Sequence, residues 1–144
     1  MNKTISARDL NIQLKHNDDG GQFKWLLASF LMGKRIQAEI AAEAYRVIVD
    51  KHGRDTPRKL AACSHRELVA MLGEAHYVRY DETTAVRLHA LARKLNDEYA
   101  GRVSLMVEAS ADRPAFEKRL AEFDGIGPKT VEIFMREANA VISL

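Results

Sequence analysis

Close to its C-terminal end the sequence places two glycines, a proline and a lysine where an anion could be held. The stretch is Gly125-Ile126-Gly127-Pro128-Lys129-Thr130, preceded by Phe123-Asp124 and followed by Val131-Glu132-Ile133-Phe134-Met135. Glycine tolerates positive φ and puts no Cβ in the path of a ligand approaching the backbone. Pro128 suits the first position of a helix, where its missing N–H is no loss. A helix opening there leaves backbone N–H groups uncovered, which is a ready anion site. Lys129 in that first turn sits at the unfavourable end of the helix dipole for a cation. An external anion is one reason for its presence. The plain alternative is an αα-hairpin closed by glycines.

Other residues with chemical potential are scattered. Lys34 and Arg35 form a basic pair after Gly33, and a solvated helix start explains them more readily than a ligand does. His76, Tyr77, Arg79 and Tyr80 combine rings and charges that could stack on a base or meet a phosphate. The same tyrosines could instead pack at the edge of the domain with wet hydroxyls. His16, His52, His65 and His89 show no metal-ligand spacing and read as surface residues. Arg54, Arg58, Lys59 and Arg66 make a basic run that reads as a solvated face. Cys63 is the only cysteine, so neither a disulfide framework nor a cysteine-rich metal site is expected, and no cofactor is implied.

Composition bounds the partners. A chain of 144 residues with a formal net charge of +2 is expected to form one domain and is mildly basic. That balance permits nucleic-acid binding without arguing for it. A lone cysteine fits a reducing, cytoplasmic compartment. The N-terminal residues lack the apolar run of a signal peptide. Trp25 to Met32, the longest apolar stretch, is too short to span a bilayer, so no membrane partner is expected.

The elements that must position these residues read as helices throughout. Residues 1–21 are expected to hold an N-terminal helix, starting at Ser6 with Asp9 three residues on, and then a loop over Asn17–Gly21. Phe23 to Met32 is apolar nearly all round and reads as a central helix ended by Gly33. Ile36, Ile40, Ala44, Val47 and Ile48 recur with helical period, and Lys51-His52-Gly53 closes that helix. Thr56-Pro57 and Ser64-His65-Arg66-Glu67 open two short helices. Asp81 is expected to cap a longer one through Ala85, Leu88, Leu91, Ala92 and Leu95. Arg102 to Val107 is ambiguous between helix and an isolated strand. Asp112-Arg113-Pro114 starts the helix that runs to Phe123. The expected fold is all-α, about eight short helices, with a C-terminal helix–hairpin–helix element turning at 124–128.

Gly125, Ile126, Gly127, Lys129 and Thr130 resemble the helix–hairpin–helix of the endonuclease III-like DNA glycosylases. The order of elements over about Gln22 to Val141 is similar to that family: an early apolar helix, the pair Leu72-Gly73 before an aromatic loop, a long helix, then the hairpin. The resemblance implies a base-excision-repair protein whose hairpin grips a phosphate of double-stranded DNA, damaged or abasic, with the target base flipped between helical subdomains. It implies DNA contacts from Gly125, Gly127, Lys129 and Thr130, with Lys34, Arg35, Tyr77 and Arg79 around them, and a nucleoid-associated fraction when DNA is bound. Lys129 matches the lysine with which bifunctional members form a Schiff base on the abasic sugar, which requires a neutral amine. A lysine touching phosphate as a fixed charge explains it equally well, and Glu132 one turn on could pair with it.

The sequence departs from the family in three places. It ends at Leu144 before the family's catalytic aspartate, and before the cysteines that hold an iron–sulfur cluster in some members. Asp124 replaces an apolar residue or proline, and capping of the helix at Pro128 is its expected role. A glycosylase or lyase with impaired chemistry is therefore expected, and a non-enzymatic helix–hairpin–helix module for DNA or protein binding is the alternative.

Overall fold

In a computed structural model of the protein, which describes residues 4–144, every regular element is helical. The order is α1 (Asp19–Met32), α2 (Ala38–Tyr45), α3 (Pro57–Ala61), α4 (His65–Glu74), α5 (Asp81–Tyr99), α6 (Val103–Glu108), α7 (Arg113–Ala121) and α8 (Pro128–Ala138). The all-α expectation holds, with no strand among the described residues.

α1 is the centre. From Gly21 to Leu31 only Lys24 escapes full burial, as a helix apolar all round requires. It packs on α2, α6 and α8, while α5 packs on α3, α4 and α6. The two polar side chains in its buried middle are satisfied. Trp25 Nε1 donates to the Phe134 carbonyl of α8 at 3.1 Å, and Ser29 Oγ donates to the Trp25 carbonyl at 2.7 Å. Such bonds matter because an unpaired buried donor costs about 1–3 kcal/mol. α8 buries Val131, Phe134, Met135 and Ala138 and exposes Lys129, Glu132 and Arg136, so helical period alone puts its charges on one outer stripe.

Several boundaries differ from expectation. The N-terminal helix is a single 3-10 turn, Arg8–Leu10. Its reciprocal Ser6–Asp9 bonds do form, but Asn11 turns left-handed at φ 58° and stops the helix. The expected loop over residues 17–21 is partly helix: α1 starts at Asp19 because Asp18 caps it through the Gly21 N–H. Gly21 is needed there for space, since a Cβ would lie 2.1 Å from the Gln13 carbonyl oxygen. α2 runs on into a π-helical stretch, Arg46–Lys51, whose wider turn lets Val47, Ile48 and Val49 all face the core. Lys51 and His52 meet Glu74 instead of serving only as a basic last turn.

Arg102 to Val107, left open between strand and helix, forms α6. Val103 and Met106, one turn apart, are both fully buried, and Ser104 is pinned by its N–H and Oγ to the Asp19 carboxylate. α5 is not capped by Asp81: Tyr80 occupies the cap position in the left-handed region at φ 64°. Cys63 is buried, but in the turn between α3 and α4, where burial pushes its thiol pKa up.

Candidate nucleic-acid interface

α7 and α8 are joined by residues 122–127, and the two glycines of that turn have opposite jobs. Gly125 is structural. Its φ is +88°, and a Cβ would lie 2.8 Å from Arg87 Cδ and 3.0 Å from Phe30 Cε2. Gly127 is open: its φ is −105°, and a Cβ there would meet no atom within 4 Å. Ile126 is buried and ties the turn to the core.

No side chain caps α8, and the first backbone bond of the helix runs from Val131 N–H to the Gly127 carbonyl. The amides of a helix's first turn have no partner within the helix, and the space where a Gly127 side chain would stand is open. Asp124 does not cap the helix, contrary to expectation. Its Oδ1 lies 3.6 Å from Arg87 Nε, and this pairing offsets a charge that would otherwise repel an anion at the turn.

Lys34 is the fastener of the turn. Its Nζ donates to the Gly125 carbonyl at 2.7 Å and lies 5.1 Å above the Phe30 ring. Burial lowers its pKa, the nearby Arg87 lowers it further, and Asp124 opposes both. Lys34 thus holds the backbone of the turn instead of standing free as a DNA contact or a solvated helix start. Arg35, beside it, is exposed.

Thr130 is buried, and its side chain sits against Gly33, where a Cβ would lie 2.0 Å from Thr130 Oγ1. That close approach, not a left-handed cap, explains the glycine at the end of α1: Gly33 has φ −77°. The Thr130 side chain cannot contact DNA in this arrangement. Tyr77 is likewise corrected: it is fully buried and donates its hydroxyl to the Leu31 carbonyl at 3.0 Å. Burial pushes its pKa up to about 12. Neither stacking on a base nor a wet hydroxyl at the domain edge is available to it. Arg79 is exposed, with its guanidinium 5.2 Å from the ring centre of the exposed Tyr80.

Lys129 is exposed and forms no ion pair with Glu132 among the described residues. It borders a cleft of about 500 Å³ between the end of α1, the start of α2 and α8, with Met32, Ile36 and Ile133 as apolar lining and Lys34 and Arg136 as further cations. Arg87 and Arg136 were not singled out in the sequence. They lie on helices whose pattern marks them only as outward-facing, and nothing local connects Arg87 to Asp124. No group of three metal-ligating side chains occurs among the described residues, and none of the helices described is long and apolar enough to cross a membrane.

Chemically, the turn offers open backbone donors at a helix start, an exposed primary ammonium beside them, and a neighbouring carboxylate paired with an arginine. Comparison of the chain with family models, with curated proteins and with solved structures finds no match.

Proposed function

We propose that the chain is a DNA-binding, base-excision-repair-like module that holds a phosphate of double-stranded DNA at the start of α8. The observation that carries this reading is the pairing of an uncapped helix start with a glycine whose missing side chain leaves clear space outside it. Lys129 stands beside that space as an exposed charge. Backbone donors and a fixed ammonium together suit a phosphate. Lys34, bonded to the Gly125 carbonyl, and Arg87, paired with Asp124, set the shape and charge of the turn from behind.

Fluorescence anisotropy with a labelled duplex tests the proposal. Gly127→Val fills the approach, and its Cβ would meet no atom within 4 Å, so the fold should persist while affinity falls about tenfold or more, the scale of a lost charge-assisted bond. Unchanged binding by Gly127→Val would reject the α8 mouth as the phosphate site.

The second reading is a DNA glycosylase or abasic-site lyase using Lys129 as a Schiff-base nucleophile. The cleft that Lys129 shares with Arg136 favours it, because a reacting sugar needs a recess next to the amine. Borohydride trapping on an abasic duplex separates it from phosphate contact alone. A covalent adduct lost in Lys129→Ala would establish the nucleophile.

A further inference from the structure

The cleft beside Lys129 continues along α8, where Lys129, Ile133 and Arg136 line it in turn. Arg136 stands two turns after Lys129 in the same helix. Their side chains therefore leave nearly the same face, about 10 Å apart along the axis. Both are exposed, while Ile133 between them is buried.

Arg136 is held in place at the wall of the cleft. Its Nη2 donates to the carbonyl of the buried Ile5 at 3.3 Å. The next residue of α8 fixes the same N-terminal segment, since Glu137 Oε2 accepts from the Ala7 N–H at 2.8 Å. A guanidinium carries five N–H donors, so the Ile5 carbonyl leaves most of them to another acceptor. Neither Lys129 nor Arg136 has an ion-pair partner among the described residues. Glu132 lies between them in sequence but does not line the cleft. Glu39 is the carboxylate of the described lining, against Lys34, Lys129 and Arg136. Lys34 is already engaged by the Gly125 carbonyl. The two cations left with donors to offer are thus Lys129 at one end of the stripe and Arg136 at the other.

We propose that Arg136 is a second phosphate contact, so that the DNA strand gripped at the start of α8 runs on along the cleft. The proposal rests on the reading of the α8 start as a phosphate site and adds the course of the strand from there. Successive phosphates of one strand rise about 3.4 Å along the duplex axis, so a span of about 10 Å reaches different phosphates. The bond to Ile5 keeps the guanidinium at its own end of the stripe, and its planar fork suits a phosphate bidentately.

The salt dependence of duplex binding tests this with Arg136→Met, Arg136→Lys and the pair Lys129→Ala with Arg136→Met, each checked for its fold by circular dichroism. Arg136→Met should flatten the plot of log affinity against log salt by about 0.9, and the double variant by about 1.8, as two separate phosphates require. Arg136→Lys keeps the charge and should keep the parent slope. In the parent, the Arg136 Nε–H resonance should shift saturably when duplex is added, which needs no substitution. Gly127→Val, weakened as expected while Arg136→Met keeps the parent slope or the resonance stays still, would overturn the Arg136 contact alone. A double variant no flatter than Lys129→Ala would place both cations on one phosphate and overturn the course of the strand. Gly127→Val binding as the parent does would reject the α8 start and the Arg136 contact with it.

Discussion

Replacing Gly125 and Gly127 by alanine, one at a time, should separate two glycines that look alike in the sequence. At Gly125 an alanine must adopt φ near +88°, which costs an L-residue about 1–2 kcal/mol. Its Cβ would also press on Phe30 Cε2 at 3.0 Å and Arg87 Cδ at 2.8 Å. Arg87 is half-exposed and can swing away, losing a pairing with Asp124 of little worth in solvent. Phe30 is fully buried and cannot move without disturbing the core. The combined loss should be about 2 kcal/mol. At Gly127 the alanine meets nothing, and φ −105° suits any residue. Losing glycine at a cap costs several tenths of a kcal/mol, and restricting the unfolded chain returns about as much. Gly127→Ala should therefore stay within about 0.5 kcal/mol of the parent. Urea unfolding followed by circular dichroism measures both, with equal m-values as the control for two-state behaviour. Equal losses at the two positions, or a Gly125→Ala protein as stable as the parent, would refute this division of roles.

Three further outcomes follow from the structure. Tyr77→Phe should cost about 1–2 kcal/mol in the same assay, because the Leu31 carbonyl loses a buried donor. Burial pushes the pKa of Asp19 up, but the Ser104 N–H, Arg102 and the Ser104 hydroxyl outweigh it and leave the carboxyl below the ordinary aspartate range. A carboxylate with a depressed folded pKa stabilises above its unfolded pKa and loses that contribution as pH falls through the folded value. The urea midpoint should accordingly drop less on acidification below about pH 4 in Asp19→Asn than in the parent. Borohydride with an abasic duplex should give no Lys129-dependent adduct, because the proposed role of the exposed Lys129 is that of a fixed charge on a phosphate. An adduct lost in Lys129→Ala would favour the nucleophile.

What the sequence made legible was mostly local. Thr56, Ser64 and Asp112 each cap the helix they were expected to cap, because a cap needs only the residues of its own first turn. The burial of Trp25 to Leu31 follows from an apolar run with no polar face. The start of α1 was hidden because Gly20-Gly21 reads as a loop, whereas Gly21 serves a close approach to Gln13 from outside the helix. α6 was hidden because Val103 and Val107 fit a strand as well as a helix, and the contact of Ser104 with Asp19 that pins it is distant in sequence.

The site divides in the same way. Gly125, Gly127 and Pro128 announce a turn into a helix, and a turn is a local matter. Thr130 was expected to contact DNA from its place in the helix–hairpin–helix motif, and Tyr77 from its ring and its place in an aromatic loop. Their burial comes from Leu31 and Gly33, at the far end of a helix no local pattern connects to them. Lys34 carried a charge that suited DNA, but only the folded chain brings the Gly125 carbonyl within its reach.

The salt dependence of duplex binding tests the phosphate site at the start of α8 most directly. Plotting log affinity against log salt for the parent, Gly127→Val and Lys129→Ala distinguishes an ammonium contact from an amide contact. A phosphate neutralised by a lysine releases counterions and adds about 0.9 to the slope on B-form DNA, whereas a backbone amide adds no charge. Lys129→Ala should flatten the plot by about that amount. Gly127→Val should lower affinity throughout and leave the slope as it was. Binding that ignores salt, or two variants that bind as the parent does, would contradict the assignment.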